Sequence, residues 1–131
     1  MKTQTIRKME VLVDNNVISK DIHDKINKVD EYLKSLFPKF DEYDTDFMFT
    51  HLSMAMDRVS KDKQLTEAND FVKVELEKSE FIVEAKTLLS NISDLTELEF
   101  NEPEALMILL HLCTLAARKG QWLRWIKMVI H

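Results

Sequence analysis

Apolar positions recur at spacings of three and four along most of the chain, which is the signature of amphipathic helices. The first clear stripe is Ile18, Ile22, Ile26, Val29, Leu33, Leu36 and Phe37. Ser19 is placed to cap it, Asp21 and Asp24 lie near its positive end, and Pro38 ends it. A second stripe, Met48, Leu52, Ala55 and Val59, widened by Met54 and Met56, predicts a helix from a cap at Asp44 or Thr45 to about residue 61. Lys61, Asp62 and Lys63 make its polar exit. Thr66 or Asn69 opens a third helix through Phe71, Val72, Val74 and Leu76. From about Ser79 a new face appears, with Phe81, Ile82, Ala85, Leu88, Leu89 and Ile92, unless residues 69–93 form one long helix.

The sharpest start signal is Asn101, Glu102, Pro103, Glu104: a capping residue, a first-turn proline and an acid at the capping-box position. Residues 102–118 are apolar nearly all round, so this helix is predicted to be central and buried, with Gly120 as its stop. The two ends are less regular. Residues 1–17 carry Ile6, Met9, Val11, Leu12 and Val13 and read as a short helix or an arm against a partner, set off by Asn15 and Asn16. Residues 122–130 carry two tryptophans and several aliphatics, fit to pack back on the domain or to form a subunit interface. The expected organisation is thus an arm or short helix over 1–17 and a helical domain over 18–131.

Composition sharpens the fold class. One glycine and two prolines in 131 residues leave little material for hairpins, and 45% hydrophobic residues supply a core, so an all-α bundle is expected. The net charge is −5 with both signs interspersed. Without a basic stripe, direct nucleic-acid binding is not expected. The single cysteine, Cys113, sits in the most apolar segment and reads as a buried, inert thiol, which fits a reducing compartment. No apolar leader region is visible, and the longest apolar run, residues 105–117, is broken by His111 and Thr114. It falls short of the roughly 20 residues that cross a bilayer, so a cytoplasmic protein without membrane insertion is expected.

The candidate chemistry lies in two histidines in matching frames. His51 and His111 each follow an apolar helical run, each precedes a leucine, and each has an arginine seven residues on, Arg58 and Arg118. Imidazole is the side chain whose unperturbed pKa places its charge change between pH 5 and 8. A neutral imidazole nitrogen is also a good nucleophile toward phosphoryl groups, provided that the other nitrogen is oriented by a hydrogen bond. Seven residues are two helical turns, about 10 Å along the axis. Each arginine is therefore out of direct reach of its own histidine, but close enough to meet a phosphate or carboxylate between them, or to anchor a facing helix.

The competing reading makes both histidines satisfied core residues and both arginines ordinary helix-end cations. A metal site is not expected, since no His-x-x-x-His or Glu-x-x-His pair occurs. Neither a nucleophilic enzyme frame nor a glycine-rich phosphate loop is present, so neither a cofactor nor catalysis is expected. His23, between Asp21 and Asp24, reads as solvated, and His131 is terminal.

Taken together, Thr50, His51 and Leu52 through Arg58, then residues 80–85 leading into Leu88 and Leu89, then Glu104 followed seven residues later by His111 and Leu112, resemble the PTS regulation domain, the PRD module of bacterial antiterminators and transcriptional activators. The resemblance spans residues 19–118. It implies a compact bundle of about five helices packed as antiparallel pairs, often dimeric. It also implies histidines that accept phosphate from phosphocarrier proteins of the sugar phosphotransferase system. Carried over, His51 and His111 are the regulated histidines, and Arg58 and Glu104 match the accompanying positions. Thr50 stands where family members often carry an acid. Such regulators usually have two tandem copies and a nucleic-acid-binding domain, whereas this chain holds one copy.

The expected function is that of a stand-alone, non-enzymatic regulatory module. It would be phosphorylated on His51 and His111, supported by Arg58, Glu104 and Arg118. A phosphocarrier or sugar-specific component of the phosphotransferase system would be the donor. The output would be an effector protein or transcription of a sugar-utilisation operon, and a homodimer is implied. The alternative is a helical adaptor or dimerisation protein with structural histidines and residues 122–130 as its working surface.

Overall fold

A computed structural model describes the backbone of residues 1–130 and the side chains of residues 1–120 and Met128. The described chain is all helical: α1 (Thr3–Asp14), α2 (Lys20–Leu36), a 3-10 turn (Phe40–Glu42), α3 (Asp46–Ser60), α4 (Asp70–Glu77), α5 (Ile82–Thr96) and α6 (Glu102–Ile130). Six α-helices rather than five result, because the N-terminal segment forms a helix of its own. It is not an arm reaching away. Met9 is fully buried, α1 packs on α2 and α3, and Lys8 and Thr5 both hold the carboxylate of Asp46 at the start of α3. The Met1 amino group is buried and donates to Asp30 at 2.7 Å and Asp41 at 3.1 Å.

Most of the predicted boundaries have an identifiable cap. Ser19 accepts the Ile22 N–H at α2, and Asn69 accepts the Val72 N–H at α4. At α3, Thr45 holds the N-cap position without a capping bond from its hydroxyl, while Asp44 accepts the Asp46 N–H. The segment 69–93 is two helices, not one: Ser79 accepts the Phe81 N–H in the turn between them. The exits use left-handed backbone at Asn16, Asp62 and Glu97.

Ile22, Ile26, Leu33, Phe49, Leu52, Met56, Ile92 and Leu112 form a continuous interior in which α2, α3, α5 and α6 meet. The helix α6 packs on α3, α4 and α5, as its all-round apolar sequence requires. One boundary differs. Gly120 does not stop α6, whose backbone stays helical to Ile130. Gly120 instead sits under the Phe81 ring, where an added Cβ would lie 3.2 Å from Cε1. A close approach between α6 and the start of α5 therefore accounts for the glycine. The side chains of Trp122 and Trp125, and with them the expected packing or interface surface, lie outside the described residues.

Cys113 is half-buried rather than buried, and burial pushes its thiol pKa up, partly offset by a hydrogen bond with Ser79. His23 is half-buried rather than fully solvated. No helix among the described residues is long and apolar enough to cross a membrane.

Candidate functional site

The site is a seam between α3 and α6. His51 Nδ1 lies 2.8 Å from His111 Nε2, and the rings meet edge to face with centroids 5.0 Å apart. Seven residues further along α3, Arg58 reaches Glu104, which lies seven residues back along α6. Advancing on one helix while receding on the other is possible only if the two run antiparallel at this contact. The periodicity that puts His51 and Arg58 on one face of α3 also puts Glu104 and His111 on one face of α6. Two rungs, about 10 Å apart, thus tie the helices together.

The lower rung is an ion pair with two nearly parallel bonds, Arg58 Nε to Glu104 Oε2 at 2.7 Å and Nη2 to Oε1 at 2.8 Å. The Glu104 side chain has no exposed surface. Its Oε2 also accepts the Leu65 N–H at 3.2 Å. The hydrogen bond to Glu104, opposed in part by burial, raises the pKa of the Arg58 guanidinium further above its usual value. The predicted capping box is therefore only half correct. Asn101 Oδ1 accepts the Glu104 N–H as a cap should, but the Glu104 carboxylate turns inward to Arg58 rather than back to the helix start.

The upper rung is more open. His51 is exposed and His111 half-buried, so neither is a core histidine. Burial, and next the positive charge of a protonated His51, push the His111 pKa below the usual 6.5. His111 therefore favours its neutral form near neutrality. Phe47, one turn before His51 and 70% exposed, sets its ring 6.4 Å from that imidazole.

A cavity of about 210 Å³ opens on the His111 side, lined by His111, Thr114, Arg118, Thr45, Asp44 and Phe47 among others. Arg118 stacks its guanidinium on Tyr43, 5.2 Å from the ring centre. It lines the same depression as His111 but does not join the Arg58–Glu104 rung. A second cavity of about 170 Å³ lies on the His51 side, bounded by His51, Arg58 and Glu104 with Met54, Leu65 and Met107.

The structure thus brings four of the five predicted residues, His51, Arg58, Glu104 and His111, into two paired contacts, and places Arg118 beside one of them. Sequence reading missed the loop that closes the lower rung. Gln64 accepts the Asn101 N–H, and Asn101 donates to the Leu65 carbonyl. Nothing in the aperiodic stretch 61–69 marks these residues. Among the described residues no group of three or more His, Cys, Asp or Glu side chains is arranged to hold a metal ion.

A family model described as the PRD domain matches residues 24–114. That span contains both rungs and ends before Arg118. No curated protein and no solved structure matches the chain.

Proposed function

The chain belongs to the PRD domain family, whose members are regulatory modules of the sugar phosphotransferase system, and from that premise we propose that it is a histidine-phosphorylated switch within that system. The observation that carries the proposal is the 2.8 Å contact between two imidazoles at the open end of an otherwise locked helix seam. Each ring is oriented by the other, and each keeps one nitrogen turned away from the contact, which is the arrangement a phosphoacceptor needs. The donor is a phosphocarrier or a sugar-specific component of the system. The exposed Phe47 beside His51 offers such a protein an apolar foothold.

A phosphoryl group adds up to two negative charges at the upper rung. It enlarges one ring and changes the hydrogen bond between the two, which reweights how α3 and α6 pack there. The output is read by a protein partner or by a second copy of the chain, and it controls that partner or transcription of a sugar-utilisation operon. The module itself performs no catalysis.

The test is intact-mass spectrometry at neutral to alkaline pH after incubation with phosphoenolpyruvate and the general phosphotransferase proteins. Acid-labile phosphate is expected on the wild type and is expected to be lost in the variant carrying both His51→Ala and His111→Ala. A folded protein that takes no phosphate from a working donor would leave the adaptor reading, with the histidines as a purely structural pair.

A further inference from the structure

Two nitrogens of the imidazole pair face each other, and two face away. His51 Nδ1 and His111 Nε2 are 2.8 Å apart and share one proton, so neither has room for a phosphorus atom while the contact lasts. The outward nitrogens are His51 Nε2 and His111 Nδ1. A phosphate on the first gives the Nε2 isomer of phosphohistidine and on the second the Nδ1 isomer, and the two are chemically distinguishable. The surroundings separate the rings further, since His51 is exposed to an incoming protein whereas His111 is half-buried.

We infer that His51 is the phosphoryl acceptor, through Nε2, and that His111 is its positioning residue and proton acceptor, through its own Nε2. The inference rests on the phosphoacceptor reading above and assigns the atoms within it.

With both rings neutral, the His51 Nδ1–H donates to the lone pair of His111 Nε2, which leaves a lone pair on His51 Nε2. That lone pair forms the N–P bond while the bond from phosphorus to the donor's phosphohistidine nitrogen breaks, and the donor ring, protonated beforehand on its other nitrogen, leaves with the electron pair as a neutral imidazole. Positive charge develops on the His51 ring, and its Nδ1 proton moves to His111 Nε2. The products are a neutral phosphorylated His51 ring and a His111 imidazolium beside the new phosphate charge. No other reactant is needed, and reversal returns the phosphoryl group by the same path. Burial and the neighbouring ring keep His111 unprotonated beforehand, so the proton has somewhere to go.

The experiment is phosphorylation of the full chain by phosphoenolpyruvate and the general phosphotransferase proteins, with the isomer assigned by phosphorus–proton correlation NMR and the residue by peptide mapping. The wild type is expected to carry the Nε2 isomer on His51. His111→Gln, whose amide oxygen can accept the His51 Nδ1–H but cannot take the proton, is expected to keep that isomer and to be labelled roughly 10²-fold more slowly. His111→Ala, which frees the ring to turn, is expected to give both isomers on His51. Phosphate on His51 Nδ1 or on His111 in the wild type would overturn the inference and leave the phosphoacceptor reading standing, as would labelling of His111→Gln at the wild-type rate. No phosphate on either histidine would remove both. The wild-type isomer decides the matter even if a variant does not fold.

Discussion

The two ends of the α3–α6 seam are built from the same geometry and opposite chemistry. At one end a guanidinium and a carboxylate make two short bonds, with the Glu104 side chain wholly enclosed and Arg58 about a third exposed. At the other, an exposed and a half-buried imidazole share a single hydrogen bond. Arg58 keeps its charge near neutral pH, its guanidinium pKa raised further by the bond to Glu104, whereas the second pair offers ring nitrogens in place of fixed charges. The comparison teaches a division of labour. A locked rung fixes the register of the helices, and that fixed register holds two titratable rings at bonding distance about 10 Å away. A switch of this size works only if the remainder of the interface does not move with it.

The largest expected effect comes from breaking the lock. Arg58→Ala strands the Glu104 carboxylate in the interior with the Leu65 backbone N–H as its remaining hydrogen-bond donor among the described residues. Removing one member of a buried pair costs about 3–5 kcal/mol. For a domain of this length that lowers Tm by roughly 10 °C or more, read by thermal unfolding. Glu104→Gln keeps the shape and the Leu65 bond and leaves the cation on a side chain that can reach water. A smaller loss, about 1–3 kcal/mol, is expected. A loss under about 1 kcal/mol in Arg58→Ala would show that the rung does not set the register.

The upper rung should respond differently. His51→Ala and His111→Ala each remove one hydrogen bond at a half-open site, so each is expected to lower stability by no more than about 1 kcal/mol. The two substitutions are also expected to couple, with the double variant losing less than the sum, because the rings share a single contact. Phosphate uptake, by contrast, should fall far more than stability does. Losses at both positions as large as that of Arg58→Ala would make the histidines structural and erase the contrast between the two ends.

How much of this was legible in the sequence follows from what helices encode locally. Caps at Ser19, Asn69 and Asn101 are read from residues three apart, and the structure uses all three. The seven-residue frames of His51 with Arg58 and of Glu104 with His111 are likewise local. They place each pair on one face of its helix but do not say what that face meets. The cross-pairing of Arg58 with Glu104 is a tertiary fact. The sequence therefore gives Glu104 a capping task and leaves Arg58 open between a phosphate, a carboxylate and a facing helix, without naming Glu104 as the carboxylate. Gly120 misled for a related reason. Glycine ends helices when the backbone must turn left-handed, but here it lies in an unbroken helix where Phe81 comes close, and the signal for that lies some 40 residues away. Glu97, which does carry the left-handed exit of α5, has no sequence mark at all.

A finer contrast between the two ends lies in the response of His111 to pH. His111 binds its proton less readily in the folded protein than in the unfolded chain, through burial first and the His51 charge second. Its folded pKa therefore lies below the ordinary 6.5, and between those two values the unfolded state holds more protons. Stability attributable to this ring is fully present above the ordinary value and is lost as pH falls through the depressed one. Arg58 stays charged throughout this range, so the lower rung adds no slope from its cation. Because His111 is only half-buried, solvent screens the effect to a fraction of a kcal/mol. Tm is expected to be lower at about pH 5.5 than at about pH 7.5, and the difference should shrink in His111→Gln while persisting in Arg58→Lys. If the slope were unchanged in His111→Gln, the proton-sensitive element would lie outside the upper rung. The imidazole pair would then differ from the ion pair in exposure alone.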